Sequence, residues 1–296
     1  LIPVDKWREE ARRMEFSGHS IAWWTSADPN NEKPWLLLIH GFPTSSWDWS
    51  GMWPELAQHF NLAALDMLGF GLSDKPTNIK YSIFNQADLQ EALLEHFSVS
   101  EAHLFVHDYG NTVAQELLAR ANEKSLSFAI KSIVFLNGGL FPEQHRARPI
   151  QKLALTPLGP LLGSQMSRNK LRKAFDGIFG VNTKATDEEI DAHWSLFEEG
   201  GGKKIFHKLM QYIPERKANR ERWVGALQET HIPMRLIDGG ADPVSGKHMY
   251  EHYLELVPNA DAILFEDIGH YPHTEAPDRV THAFFDFHRK LGTVKP

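Results

Sequence analysis

Val106-His107-Asp108-Tyr109-Gly110 joins two segments of different periodicity. Ala102 to Val106 before it reads as a buried strand, and Thr112 to Ala121 after it carries apolar residues at helical spacing. A tight strand-to-helix turn can present a reactive side chain at its apex when small residues flank it. Gly110 supplies one, while Val106 is bulkier than the usual residue on the other side. The apex is Asp108, at the positive end of the following helix, where the ionised form is favoured. A carboxylate needs no general base for attack. It suits displacement at a strained or activated C–O or C–halogen bond and is poorly matched to amides. An aspartate that merely caps the helix is the competing reading.

Working outward, Trp35 to Ile39 is an unbroken apolar run ended by His40-Gly41, which reads as a buried strand. Asn61 to Leu65, Ile130 to Leu136, Met234 to Ile237 and Ala262 to Phe265 read as further strands, and Tyr81 to Phe97 as a helix. Strands alternating with helical patterns predict an α/β fold, a mostly parallel sheet with helices on both faces. From Phe141 to Leu227 only helical or irregular patterns occur, with five prolines and a Gly200-Gly201-Gly202 hinge or turn. The expected division is a core of residues 1–140 and 228–296 with a helical cap of residues 141–227 above the C-terminal strand ends, where open α/β sheets bind ligands.

The same strand ends carry three partners for Asp108. His40-Gly41-Phe42-Pro43 follows the first buried strand, and the N–H groups of Phe42 and Tyr109 are the expected oxyanion donors. A cis Phe42–Pro43 bond is expected, since such bonds occur mainly before proline. Asp242, in Gly239-Gly240-Ala241-Asp242-Pro243, and His270, in Ile268-Gly269-His270-Tyr271-Pro272, follow two later strands. Nucleophile, acid and histidine thus come in the chain order of a triad on this sheet. His270 would activate water and Asp242 would hold its tautomer.

Bulk properties narrow the class. The 296 residues are 42% hydrophobic and carry a net charge of −7, so the acidity points to solubility. No continuous basic run suggests a nucleic-acid footprint. The absence of cysteine excludes disulfides and a thiol nucleophile. Leu1 to Arg13 is unlike a signal peptide. Leu153 to Leu162, the longest apolar-looking run, holds two prolines and is far short of the ~20 residues that cross a bilayer. No integral membrane segment and a cytoplasmic location are therefore the expectations. His248-x-x-x-His252 has helical ligand spacing but lacks the glutamate position of a zinc protease, and Gly69-x-Gly71 lacks the third glycine of a dinucleotide site. No metal and no cofactor are expected.

His40-Gly-Phe-Pro-Thr-Ser-Ser, Asp66-x-x-Gly-Phe-Gly-x-Ser-Asp-Lys-Pro76 and His107-Asp-Tyr-Gly resemble the epoxide hydrolase and haloalkane dehalogenase branch of the α/β-hydrolases. Tyr81-Ser-Ile-Phe, Val113-Ala-Gln-Glu-Leu-Leu, Asn137-Gly-Gly, Phe141-Pro-Glu-x-His145 and Arg222-Trp-Val-Gly-Ala-Leu227 are similar to the mesoderm-specific transcript protein family within it. The resemblance spans about Trp35 to His270 and is weakest in the cap.

It implies an α/β-hydrolase fold and a covalent ester on Asp108, with epoxide hydrolysis to a diol as the leading activity. Tyr212, the only tyrosine of the cap interval, would protonate the epoxide oxygen, with Tyr109 in place of the missing second cap tyrosine. Haloalkane dehalogenases hold halide with side-chain N–H groups where this chain has Phe42 and Tyr109, which disfavours that activity unless a cap residue such as Trp194 substitutes. An esterase or lactonase using Asp108 as base, and a non-catalytic ligand-binding member of the fold, are the alternatives. His40, Trp47, Trp194 and Phe197 are the candidate contacts to a small hydrophobic substrate, with Phe42 adding to the lining.

Overall fold

The computed structural model describes residues 1–28 and 31–294. Its centre is an eight-stranded sheet in the order β1-β2-β4-β3-β5-β6-β7-β8. The strands are β1 (Arg12–Phe16), β2 (His19–Thr25), β3 (Trp35–Ile39), β4 (Asn61–Leu65), β5 (Glu101–Val106), β6 (Ala129–Phe135), β7 (Met234–Gly239) and β8 (Asp261–Phe265). From β4 to β8 every neighbouring pair is parallel, while β1 and β2 form an antiparallel hairpin whose second strand pairs with β4.

Unbroken apolar runs form the central strands because both sheet faces are covered. Leu37, Ile39, Leu104 and Val106 enter one core, while Leu36, Leu38 and Phe105 enter the other. That alternation obeys the two-residue repeat of a strand. Helices Ile83–His96 and Tyr109–Asn122 are crossovers on this framework. The first is two residues shorter at its start than its apolar pattern, because the Ser82 hydroxyl accepts the Phe84 N–H and sets the cap there.

The chain leaves β3 toward β4 on one side and later enters β5 on the other. The loops after β3 and β5 therefore part company above a crevice, the position where such sheets bind ligands. His40-Gly41-Phe42 and Asp108 sit on those two loops.

Between β6 and β7 the described chain is helical, with seven α-helices from Pro149–Ala154 to Arg220–Glu229 and one short 3-10 turn. Gly200 and Gly201, at φ 62° and 90°, make the turn that ends one helix and starts the next. Two carboxylates, the buried Glu116 and the half-buried Glu215, anchor the insertion to the sheet layer. Glu116 accepts from Arg120, Arg222 and the Trp223 indole, and Glu215 accepts from Ser82 and the Ile83 N–H.

Candidate active site

Asp108 occupies the apex of the turn with φ 47° and ψ −103°, a conformation costly for a residue with a side chain. Helix Tyr109–Asn122 begins directly after it, but Asp108 makes no side-chain capping hydrogen bond. The capping alternative therefore fails. The turn also packs closely: a Cβ on Gly110 would lie 2.5 Å from the Ile39 carbonyl oxygen, so only glycine lets the helix start so near β3. With capping excluded, the carboxylate turns to other partners. Asp108 Oδ2 accepts the Phe42 N–H at 3.0 Å. Its Oδ1 lies 3.7 Å from His270 Nε2.

His270 bridges two carboxylates. Its Nδ1 stands 2.6 Å from Asp242 Oδ2. Asp242 also accepts from the Val244 and Ser245 N–H groups, the Ser245 hydroxyl and the Asn137 amide. Burial opposes its charge, but His270 and these donors hold it down at about 2. Burial likewise opposes the His270 imidazolium, and Asp242 with Asp108 overcomes it, raising the group to about 9. The His270 loop is fixed by Glu275, which accepts the N–H groups of Gly269 and Tyr271. His107 Nε2 lies 2.8 Å from the His270 carbonyl, which makes it the donor there.

Phe42 precedes a cis peptide at Pro43, as expected. Tyr109 is the first residue of its helix, so its N–H belongs to the unpaired first turn. Its ring packs against those of Phe70 and Tyr212 and does not line the cavity. Tyr109 is therefore not a wall residue, and neither is Tyr212. Tyr212 is buried with its ring 5.0 Å from that of Tyr109 and 6.2 Å from that of Phe42. Burial, followed by the Asp108 charge, raises its pKa.

A cavity of about 250 Å³ opens over Asp108 and His270. Its wall is largely apolar and comes from the insertion, through Ile150, Met166, Leu171, Phe175, Phe206 and Met210. The four expected substrate contacts lie off this wall. His40 is a loop brace, its Nε2 accepting the Met67 N–H and its Nδ1 beside the Gly41 carbonyl. The Trp47 indole donates to the Ile2 carbonyl and packs on His193 in the opposite core. Trp194 packs at a tilt against Phe197 beneath the Lys203 ammonium, and Phe197 meets Phe206 edge-on. Aromatic identity pointed to these residues; the i, i+4 pair Leu171 and Phe175 was the signal that marks the wall.

Sequence reasoning also passed over Ser245 and the role of Asn137. The Asn137 amide side chain donates to the Gly239 carbonyl and accepts the Gly239 N–H, clamping β7 where the Asp242 loop begins. Among the described residues, only Asp48, His107 and His273 bring three metal-capable atoms together. His248 and His252 engage the Val244 carbonyl and the Glu143 and Glu255 carboxylates. No described helix is long and apolar enough to cross a membrane.

The profile of the alpha/beta hydrolase fold family matches residues 34–277. The chain belongs to the α/β-hydrolase family. It is similar to the mesoderm-specific transcript protein of Mus musculus, 37% identical over 96% of this chain and 87% of that one. It is 34% identical to LipZ of Mycobacterium tuberculosis over 93% of this chain and 94% of that one. Among solved structures, a haloalkane dehalogenase DbeA loop variant from Bradyrhizobium elkanii superposes with a TM-score of 0.76. It is 20% identical over 96% of this chain and 99% of that one, a likeness of fold.

Proposed function

We propose that this α/β-hydrolase opens a strained C–O bond in a small apolar substrate, an epoxide above all, through a covalent ester on Asp108. The observation that carries the reading is a carboxylate at the nucleophile position whose oxygens face a donor N–H and the histidine rather than its own helix.

In the first step an Asp108 oxygen attacks a ring carbon, the C–O bond breaks, and the ring oxygen takes a proton from Tyr212. Tyr212 is not itself a wall residue; what supports the role is its place directly behind Phe42 of the wall, within the field of Asp108. Ester formation removes the Asp108 charge, one of the carboxylate charges that hold His270 protonated. The imidazolium then gives its proton to solvent more readily and serves as the base, and it takes a proton back from solvent once the carboxylate is regenerated. Water attacks the ester carbonyl carbon as His270 takes its proton. The oxyanion is held by the Phe42 and Tyr109 N–H groups. Collapse returns the proton from His270 to the departing alkoxide, giving a diol, and the second water proton restores Tyr212.

Dehalogenation is the weaker reading, since no tryptophan or asparagine lines the cavity to hold halide. Single turnover in ¹⁸O-labelled water is the test against an esterase in which Asp108 is a base. The covalent route leaves solvent oxygen in Asp108, whereas a general base stays unlabelled.

A further inference from the structure

The insertion departs sharply from the acidic character of the chain. Between Gln144 and Phe175 there are seven Lys and Arg and no Asp or Glu, in a protein of net charge −7. Arg168 and Arg172 are paired with Asp187 and Asp191. Arg146, Arg148, Lys152, Lys170 and Lys173 are exposed and have no carboxylate partner among the described residues.

Interleaved with these cations is uncovered apolar surface. Leu153, Leu158 and Leu161 are 40%, 56% and 57% exposed, three of the seven exposed large hydrophobic side chains of the described chain. They lie on and between the two short helices Pro149–Ala154 and Gly159–Ser164. Clustering of this kind marks an interaction surface, whereas scattered single leucines do not. The cavity reaches the surface at the same place: Arg148, Pro149 and Ala174 are wall residues that are also exposed.

We infer that this face docks on an anionic lipid surface, with Leu153, Leu158 and Leu161 entering the headgroup boundary and the unpaired cations meeting lipid phosphates and carboxylates. Two short apolar helices separated at Pro157 cannot span a bilayer, but leucines rimmed by Lys and Arg are the composition of an interfacial anchor. A nucleic acid fits less well, because no exposed aromatic side chain in the patch offers a stacking surface. Docking would place the cavity mouth against the lipid. Under the functional reading above, the apolar substrate then enters from the bilayer rather than from water.

Vesicle flotation tests the surface independently of the chemistry, since the Asp108→Ala protein should float as well as the unaltered one. Vesicles of phosphatidylcholine with phosphatidylserine should carry the protein, and phosphatidylcholine alone should carry much less. Added salt should weaken the binding. Arg146→Glu, Lys152→Glu and Lys170→Glu together should lower partitioning on the order of a hundred-fold or more, at about five-fold for each cation lost. Leu158→Ser with Leu161→Ser, verified as folded by circular dichroism, should also release the protein. Absence of flotation overturns the proposal. So does binding that heparin reproduces and the leucine variant leaves intact, which assigns a soluble polyanion instead. A concentration-dependent dimer abolished by the leucine variant assigns the face to a second copy of the chain, with the same consequence.

Discussion

His270 Nδ1 stands 2.6 Å from Asp242 Oδ2, while the Nε2 of the same ring faces Asp108 Oδ1 at 3.7 Å. The ring is thus held firmly by one carboxylate and loosely by the other. The loose side is where water must enter once Asp108 is esterified, and the tight side keeps Nε2 aimed at that point.

This pairing has a consequence for stability against pH. The folded-state pKa of His270 is raised from 6.5 to about 9, so its contribution is complete below about 6.5 and is lost as pH rises through about 9. That of Asp242 is lowered from 3.8 to about 2, so its contribution is present above about 3.8 and is lost as pH falls toward 2. Denaturant titrations across pH should therefore show stability declining from pH 6.5 to 9. His270→Gln should flatten that limb, and an unchanged slope would remove the ion pair from the account.

Tyr212 is expected to act in the first half-reaction. Tyr212→Phe should slow alkylation of the enzyme by an epoxide on the order of 10²- to 10⁴-fold, the usual contribution of a positioned acid. Breakdown of the ester should be much less affected. Stopped-flow single turnovers separate the two rates, and equal slowing of both would point to misplaced packing against Phe42 and Tyr109.

Phe42 is expected to act through its backbone. Phe42→Leu keeps the N–H and should retain much of the activity while reshaping the cavity. Phe42→Pro deletes the donor and should cost about 10²- to 10³-fold in kcat, as loss of one oxyanion donor does. A folded Phe42→Pro protein with full activity would assign the donor elsewhere.

Much of this architecture was legible because parallel strands buried on both faces are unbroken apolar runs. Trp35–Ile39 and Asn61–Leu65 could be bounded to the residue. The hairpin of β1 and β2 escaped notice because Arg12–Phe16 mixes charged and apolar residues at an exposed edge. The wall of the cavity was misjudged for a different reason. Whether Trp47 faces the substrate or the Ile2 carbonyl depends on contacts across 45 residues, which no local pattern encodes. Support for Asp242 from Asn137 spans 105 residues and was equally hidden.

Glu116 offers a test of how the insertion is held. Its carboxylate is buried against Arg120, Arg222 and the Trp223 indole. Glu116→Ala should destabilise the protein by roughly 1–3 kcal/mol, chiefly by leaving the buried indole N–H unpaired, since both arginines retain other partners. Chemical denaturation provides the measurement. A change within about 0.5 kcal/mol, the range of an ordinary surface substitution, would show that packing alone secures this end.

The most direct test of the central claim is intact-protein mass spectrometry of His270→Gln after exposure to a reactive epoxide. Alkylation uses Asp108 and requires no proton removed from it, whereas ester breakdown requires the histidine. The account predicts a stable adduct of protein plus one substrate, mapped to Asp108 by peptide fragmentation and absent from Asp108→Ala. Labelling by haloalkanes but not epoxides would keep the nucleophile and reverse the choice of substrate. A folded His270→Gln protein that takes up neither class would contradict the covalent mechanism itself.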